Sequence, residues 1–309
     1  MKISLVFFGS GPVAAKSLEL LANKYHIEAV ITKPKPSHHR GDFPVVTLVE
    51  SLGLKTYYAS TKSELSELFA TKPVTSQLGI VIDYGVIIGQ DVIDYFPLGI
   101  INSHFSLLPE WRGADPITFS ILSGQKNTGV SLMLINQKLD EGEILAEGVY
   151  DLPGDITTPK LTDGLIELSD ALLDHYLPMY VDGEVKPVSQ ETAARAMNRP
   201  YLPTYSRKLS KADGLIDWQK PAEQIEREIR GFIDWPRSYT TLAGKDVIIC
   251  AAHIDDAADD LTIGQAKATD DKQLVVRTSD KLLVIDELKP AGKKIMTAKQ
   301  FLAGYGKDL

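Results

Sequence analysis

Residues 2–32, K-I-S-L-V-F-F-G-S-G-P-V-A-A-K-S-L-E-L-L-A-N-K-Y-H-I-E-A-V-I-T, decide the fold class. An apolar run over 2–8 stops at Gly9-Ser10-Gly11-Pro12. A helical stretch over 13–23 then carries Ala14, Leu18 and Leu21 on one side, and a second apolar run covers 26–32. Strand, tight turn, helix, strand is the unit from which parallel sheets are built. The first run is too brief, with one Lys before it and Gly9 breaking it, to read as a signal peptide. The alternation continues, with helices expected at 45–53, 63–70 and 91–95 and extended runs at 55–59, 78–82 and 99–103. The strands are apolar throughout, which predicts a mostly parallel, Rossmann-like α/β sheet covered on both faces.

Farther along, a helix is expected over 114–123, then two strands over 130–135 and 144–149 joined through L-D-E-G-E at 139–143. A long amphipathic helix covers 161–180, and the polar, Pro-containing stretch at 184–203 reads as a linker. After a helix at 222–232 the pattern changes to short extended runs at 239–242, 246–251, 274–278 and 281–287. These predict a small OB-like β-barrel. The expected division is therefore a first domain over 1–183, a linker over 184–203 and a second domain over 204–309.

The composition is that of a globular chain, 44% hydrophobic and 24% charged over 309 residues. No apolar run approaches the roughly 18 residues needed to span a bilayer. One cysteine, Cys250, excludes an intrachain disulfide and a cysteine metal cluster. A cytoplasmic protein without a membrane partner, acting as a monomer, is expected. The net charge of −8 argues against indiscriminate nucleic-acid binding, but residues 201–309 hold 17 basic and 17 acidic residues, so the excess lies earlier in the chain.

Two strand ends carry motifs. G-S-G-P-V-A at 9–14 matches the G-x-G-x-x-[GA] dinucleotide fingerprint, the basis for an alternative NAD(P)-binding oxidoreductase. Against it, the second strand ends in Thr32-Lys33 where an acid is wanted for the ribose, and Pro12 removes a backbone donor from the turn. The other motif is G-I-I-N-S-H-F-S-L-L-P-E-W-R-G at 99–113, where period-2 alternation puts Asn102 and His104 on one side of a strand end. A carboxamide beside an imidazole can join a polarising donor to a proton carrier, or can be an ordinary polar loop. Asp140 could orient His104 or be a solvated turn acid. In residues 33–44, Lys33, Lys35 and Arg40 could meet phosphate, whereas adjacent His38 and His39 point apart and suit no metal site. No P-loop, zinc motif or G-x-S-x-G is present.

Residues 102–117, N-S-H-F-S-L-L-P-E-W-R-G-A-D-P-I, closely resemble the N-x-H-x-S-L-L-P-x-[WY]-R-G-x-x-P-I signature of the folate-dependent formyltransferases. F-F-G-S-G-P, D-Y-G-V-I-I at 83–88, and T-G-V-S-L-M followed by L-D-E-G-E-I resemble further blocks of that family in the same order. I-D-W at 216–218, I-R-G-F-I-D-W-P at 229–236 and L-K-P-A-G-K-K-I-M at 288–296 resemble the C-terminal domain of its tRNA-acting branch. The resemblance implies a Rossmann-like formyltransferase domain followed by an OB-like barrel. It also implies formyl transfer from 10-formyltetrahydrofolate to initiator methionyl-tRNA, without a metal. Asn102, His104 and Asp140 are the implied catalytic residues. Ser106, Leu107, Leu108 and Pro109, with Tyr84, Gly85, Val86 and Ile87, are the implied folate site. Arg40, Arg207, Lys293 and Lys294 are candidate tRNA contacts. The alternatives are a sugar-nucleotide N-formyltransferase using the same donor and trio, and a folate- or RNA-binding protein without catalysis. Two departures stand out: Phe105 occupies a position where the family usually has Gly, and the loop at 33–44 is shorter than the family's basic loop.

Overall fold

The computed structural model of the chain describes residues 2–36, 41, 43–257 and 259–309. The chain divides into two compact units. The first comprises Met1–Pro116, Asn127–Asp151 and Thr162–Ser206, and the second Ile117–Lys126, Leu152–Leu161 and Arg207–Leu309.

In chain order the first stretch runs β1 (Ser4–Phe8), α1 (Pro12–Lys24), β2 (His26–Thr32), α2 (Pro44–Leu52), β3 (Thr56–Tyr58), α3 (Lys62–Ala70), β4 (Gly79–Val81), α4 (Gln90–Ile93) and β5 (Ile100–His104). There follow β6 (Arg112–Gly113), α5 (Pro116–Ser123), β7 (Asn127–Leu134), β8 (Ile144–Asp151), α6 (Thr158–Val181), α7 (Gln190–Ala196) and β9 (Tyr205–Ser206). One seven-stranded sheet has the order β3-β2-β1-β4-β5-β7-β8. Its first five strands are parallel, and β7 and β8 extend it antiparallel beyond β5. This is the Rossmann-like, mostly parallel sheet expected from the apolar strands. Leu5, Val6, Phe7 and Phe8 are all fully buried, as a central strand covered on both faces requires. On one side Val6, Phe8, Ile31 and Ile100 pack with Leu65, Phe69, Val92 and Phe96. The strand order reverses beside β1, which opens a crevice beyond the carboxyl ends of β1 and β4.

The second unit contains α8 (Ala222–Gly231), β10 (Ser238–Leu242), β11 (Lys245–Asp255), β12 (Ala266–Ala268), β13 (Leu274–Arg277), β14 (Leu282–Pro290), β15 (Met296–Thr297) and α9 (Ala298–Tyr305). Its sheet is antiparallel throughout, in the order β10-β11-β14-β13-β12 with β15 on β14. It is an open, half-barrel arrangement whose core gathers Ile225, Ile229, Val247, Ile249, Leu283 and Phe301.

The stretch 184–203, read from its polarity as a linker, contains α7 and lies in the first unit. Ser189 caps this helix by accepting from Thr192 N–H, and Gln190, Ala193 and Ala194 are buried. Its polar composition conceals a helix that is held from its buried face. Among the described residues, no helix is long and apolar enough to cross a membrane.

Candidate active site

Two strand ends meet the carboxyl edge of the first sheet, and they are treated differently. At the end of β1, Gly9-Ser10-Gly11 leads into α1, whose first-turn N–H groups would suit an anion. The protein supplies its own. The Asp83 carboxylate accepts from the backbone N–H groups of Val13 and Ala14, while the Asp83 carbonyl accepts from Ser10 N–H (3.0 Å) and Gly11 N–H (3.2 Å). A Cβ on Gly11 would lie 1.7 Å from Asp83 Oδ2, so glycine is needed there for close approach to this carboxylate. Asp83 is open to solvent at the crevice yet crowded by protein. The resulting loss of solvation pushes its pKa up to about 6 against the Val13 and Ala14 hydrogen bonds and the Lys33 charge, with Asp115 adding to the rise.

At the end of β5 the groups face outward to chemistry. Ser103 turns to α6, where its hydroxyl lies 2.6 Å from Ser169 Oγ, so Asn102 and His104 point to the opposite face of the strand. Asn102 is partly exposed, and among the described residues no side-chain hydrogen bond engages it. His104 is buried, with Nε2 3.1 Å from the Trp111 carbonyl. A carbonyl only accepts, so the ring proton sits on Nε2 and Nδ1 carries the lone pair in the neutral ring. Nδ1 lies 4.0 Å from Asp140 Oδ2. Asp140 is buried in the β7–β8 turn with φ +52°, and its Oδ2 accepts from Gly113 N–H at 2.8 Å. Gly142 completes the turn, since a Cβ there would lie 1.6 Å from the Leu134 carbonyl oxygen. The arrangement therefore offers an uncommitted amide, an imidazole nitrogen able to take a proton, and a carboxylate to stabilise the resulting charge.

The formyl transferase family profile matches residues 1–173, and the profile of the formyl transferase C-terminal domain matches residues 208–306. The chain belongs to the formyl transferase family. The methionyl-tRNA formyltransferase of Roseiflexus castenholzii is 36% identical to it over 311 residues, covering 98% of this chain and 96% of that protein. The methionyl-tRNA formyltransferase of Roseiflexus sp. (strain RS-1) is 35% identical over 314 residues, covering 98% and 93%. Among solved structures, an N-formyltransferase from Helicobacter canadensis, in complex with folinic acid and dTDP-3-aminofucose, matches with a TM-score of 0.68 at 15% identity, covering 92% of this chain and 98% of that one. HypX from Aquifex aeolicus in complex with tetrahydrofolic acid matches with a TM-score of 0.64 at 14% identity. That match covers 99% of this chain but 48% of HypX, so the formyltransferase chain spans about half of that protein. At these identities the two structures speak for the fold alone.

The loops expected to form the folate site of this formyltransferase divide into anchors and accessible edges. Tyr84 is buried and donates to the Ala59 carbonyl (2.9 Å), whereas Gly85 and Ile87 are exposed and Val86 is half-buried. Lys33 Nζ donates to the Gly85 carbonyl (3.0 Å). In the other loop, Ser106, Leu107, Leu108 and Pro109 are all buried. Ser106 Oγ donates to the Glu110 carbonyl, and Leu108 packs with Met133, Ile144 and Ala193. Phe105, the departure from the family signature, is likewise buried. These four residues thus give the loop its shape from within, and their side chains are turned into the protein.

Sequence reasoning missed the groups that hold this loop. Ser131 Oγ accepts from Leu108 N–H (2.9 Å) and lies 2.8 Å from the Ser106 carbonyl and 3.1 Å from Glu147. Arg199, from the stretch read as a linker, bridges Glu147 (2.8 Å) and the Leu107 carbonyl (3.2 Å). Burial pushes the Glu147 carboxyl up even with Arg199 beside it. Ser131 and Arg199 here, like Asp83 at the end of β1, are not legible in the sequence because each acts on a segment remote in the chain.

Three of the four basic residues expected to meet tRNA, Arg207, Lys293 and Lys294, lie in the second unit. Arg207 is already engaged as a two-pronged partner of Asp213, whose carboxyl it holds well below the usual range. Lys293 and Lys294 are exposed, and Lys293 lines a cavity of about 290 Å³ with Lys245, Asp246 and Tyr305. Arg40 and its neighbours His38 and His39 lie outside the described residues. Among the described residues, no group of three or more His, Cys, Asp or Glu side chains could hold a metal ion.

Proposed function

We propose that this formyltransferase moves the formyl group of 10-formyltetrahydrofolate to the α-amino group of initiator methionyl-tRNA. The observation that carries the reading is the buried facing of His104 and Asp140 across the end of β5, beside the uncommitted Asn102 amide. The acceptor is supported by similarity to two methionyl-tRNA formyltransferases along 98% of the chain, second unit included.

The chemistry follows from these groups. The neutral amine attacks the formyl carbon, a C–N bond forms, and the carbonyl oxygen becomes an oxyanion. Asn102 donates its amide N–H to that oxygen, a contact of a kind worth about 3–4 kcal/mol in a preorganised site. His104 Nδ1 takes the proton that the attacking nitrogen loses, and the Asp140 carboxylate stabilises the imidazolium. As the oxyanion collapses, the bond from the formyl carbon to N10 of the folate breaks and His104 returns the proton to N10. Placement and proton management suffice for transfer from an activated N-acyl donor, so no metal enters the scheme.

The donor lies along the accessible edge of Gly85, Val86 and Ile87, with Tyr84 anchoring that loop and residues 106–109 setting the shape of the loop after β5. The open antiparallel sheet of the second unit serves as an OB-like module for tRNA, with Lys293, Lys294 and, from the first unit, Arg40 as phosphate contacts, while Arg207 stays paired with Asp213. The test is a formylation assay with 10-formyltetrahydrofolate and either methionyl-tRNA or a 4-amino-sugar nucleotide. Formyl-methionyl-tRNA is the expected product. Formylation of the sugar nucleotide alone would move the protein to the sugar-modifying enzymes.

A further inference from the structure

Gln190 is the first residue of α7, in the stretch that sequence alone reads as a linker, and its side chain is buried. Its amide is fully occupied. Nε2 donates to the carbonyl of Asp140 (2.8 Å) and to the carbonyl of Gly142 (3.1 Å), and Oε1 accepts from Arg112 Nη2 (2.7 Å). The amide cannot be flipped, because its oxygen would then face two carbonyls and its nitrogen a guanidinium. Arg112 is buried as well, reaches Glu141 Oε1 at 3.3 Å, and leaves its Nε without a partner. A single glutamine thus joins the Asp140 turn to the strand after Trp111.

Both joined segments bear on His104. The Trp111 carbonyl fixes which ring nitrogen holds the proton, and Gly113 N–H binds the Asp140 oxygen that faces Nδ1. Asp140 holds a left-handed backbone (φ +52°), and Trp111 does so too (φ +55°). Residues other than glycine rarely keep that conformation unless their surroundings impose it. At Asp140 the Gln190 amide supplies that constraint through the residue's own carbonyl.

We infer that Gln190 is a positioning residue for formyl transfer: it clamps the Asp140 turn against Arg112 so that the carboxylate faces His104 Nδ1. The inference rests on the assignment of Asp140 to the reaction. The clamp touches neither formyl donor nor acceptor, so its loss lowers turnover and leaves donor binding nearly unchanged.

The test measures kcat and the donor KM for Q190A and Q190E, each made in the wild-type and D140A backgrounds, with circular dichroism as the fold control. Q190E keeps the size of the side chain and its contact with Arg112 while losing both donors, so it reads the clamp even where Q190A is poorly folded. Both variants are expected to lower kcat by about ten- to a hundredfold, the scale of a small misplacement in a catalytic site, with the donor KM within about threefold of wild type on the same grounds. In the D140A background the additional loss is expected to be less than about twofold, since residues acting as one unit are not additive. Equal fold losses in both backgrounds would overturn the role of Gln190 alone, with D140A by itself still far slower than wild type. Turnover within twofold of wild type in a folded Q190E would do the same. Near-normal turnover of D140A would remove Asp140 from the reaction and the Gln190 inference with it.

Discussion

The ends of β1 and β5 lie on the same edge of the same sheet, and each carries a short motif that reads as a site. At β1 the glycine-rich turn meets the N-terminus of α1, and Asp83 closes it from within the chain. At β5 the Asn102 amide stays uncommitted and the His104 ring keeps Nδ1 toward Asp140. A fingerprint for a phosphate is therefore satisfied internally, while a weaker-looking Asn and His pair is left able to act. The difference teaches that a motif signifies a ligand site only where its donors and acceptors are not already spent.

The largest effects separate the two ends. N102A, H104A and D140A are each expected to cut formyl transfer by about 10²–10⁴-fold in a folded protein, measured by single-turnover formylation. A folded variant with near-normal turnover drops that residue from the scheme. At β1 the corresponding changes touch stability. G11A drives a Cβ into the Asp83 carboxylate and is expected to cost about 1–3 kcal/mol, whereas D83A costs about 0.5–2 kcal/mol as a lost helix cap. The double variant is expected to fall short of their sum in denaturant unfolding, because the clash disappears with the carboxylate. Full additivity would mean that the two residues do not meet. NADH fluorescence is expected to stay unchanged when wild-type protein is added, and saturable quenching would reopen the dinucleotide reading.

A smaller effect concerns the second unit. K293A and K294A are each expected to weaken tRNA binding at low salt and to reduce the slope of log affinity against log salt by about 0.7–0.9. An unchanged slope would make these lysines ordinary surface charges. Smallest is the pH dependence of Asp83. Its pKa in the folded protein, about 6, lies above the ordinary carboxylate value. The native state therefore holds this proton more tightly than the unfolded chain does. The contribution favours folding below about pH 4 and is lost as pH rises from there through 6. D83N has no such titration, so its melting temperature relative to wild type is expected to be higher at pH 7.5 than at pH 4.5. A pH-independent difference would show that the group is not perturbed in this direction.

Much of the fold was legible because local pattern and tertiary role coincide. Residues 26–32 read as a strand and form β2 over the same span, since a strand buried on both faces advertises itself by continuous apolar character. The open sheet of the second unit is legible as short strands, whereas α9 is absent from the expected elements although Thr297 and Gln300 form a capping box at its start. The proposed roles of Asn102, His104 and Asp140 come from family resemblance; spacing alone gives no preference for chemistry over an ordinary polar loop. What sequence could not yield is the long-range polar bonding around them. Asp83 caps a helix that begins at Pro12, Arg199 braces the loop at 106–110, and Gln190 clamps a turn built around Asp140. Each is a polar residue in a polar stretch, and its partner is fixed only once the chain has folded.

Proton transfer through His104 is tested by single-turnover formylation of methionyl-tRNA by wild type and H104A, with 10-formyltetrahydrofolate as donor. Formyl-methionyl-tRNA is expected from wild type, and a rate lower by at least about a hundredfold from a folded H104A that still binds the donor. Equal rates from the two proteins would contradict this role of His104.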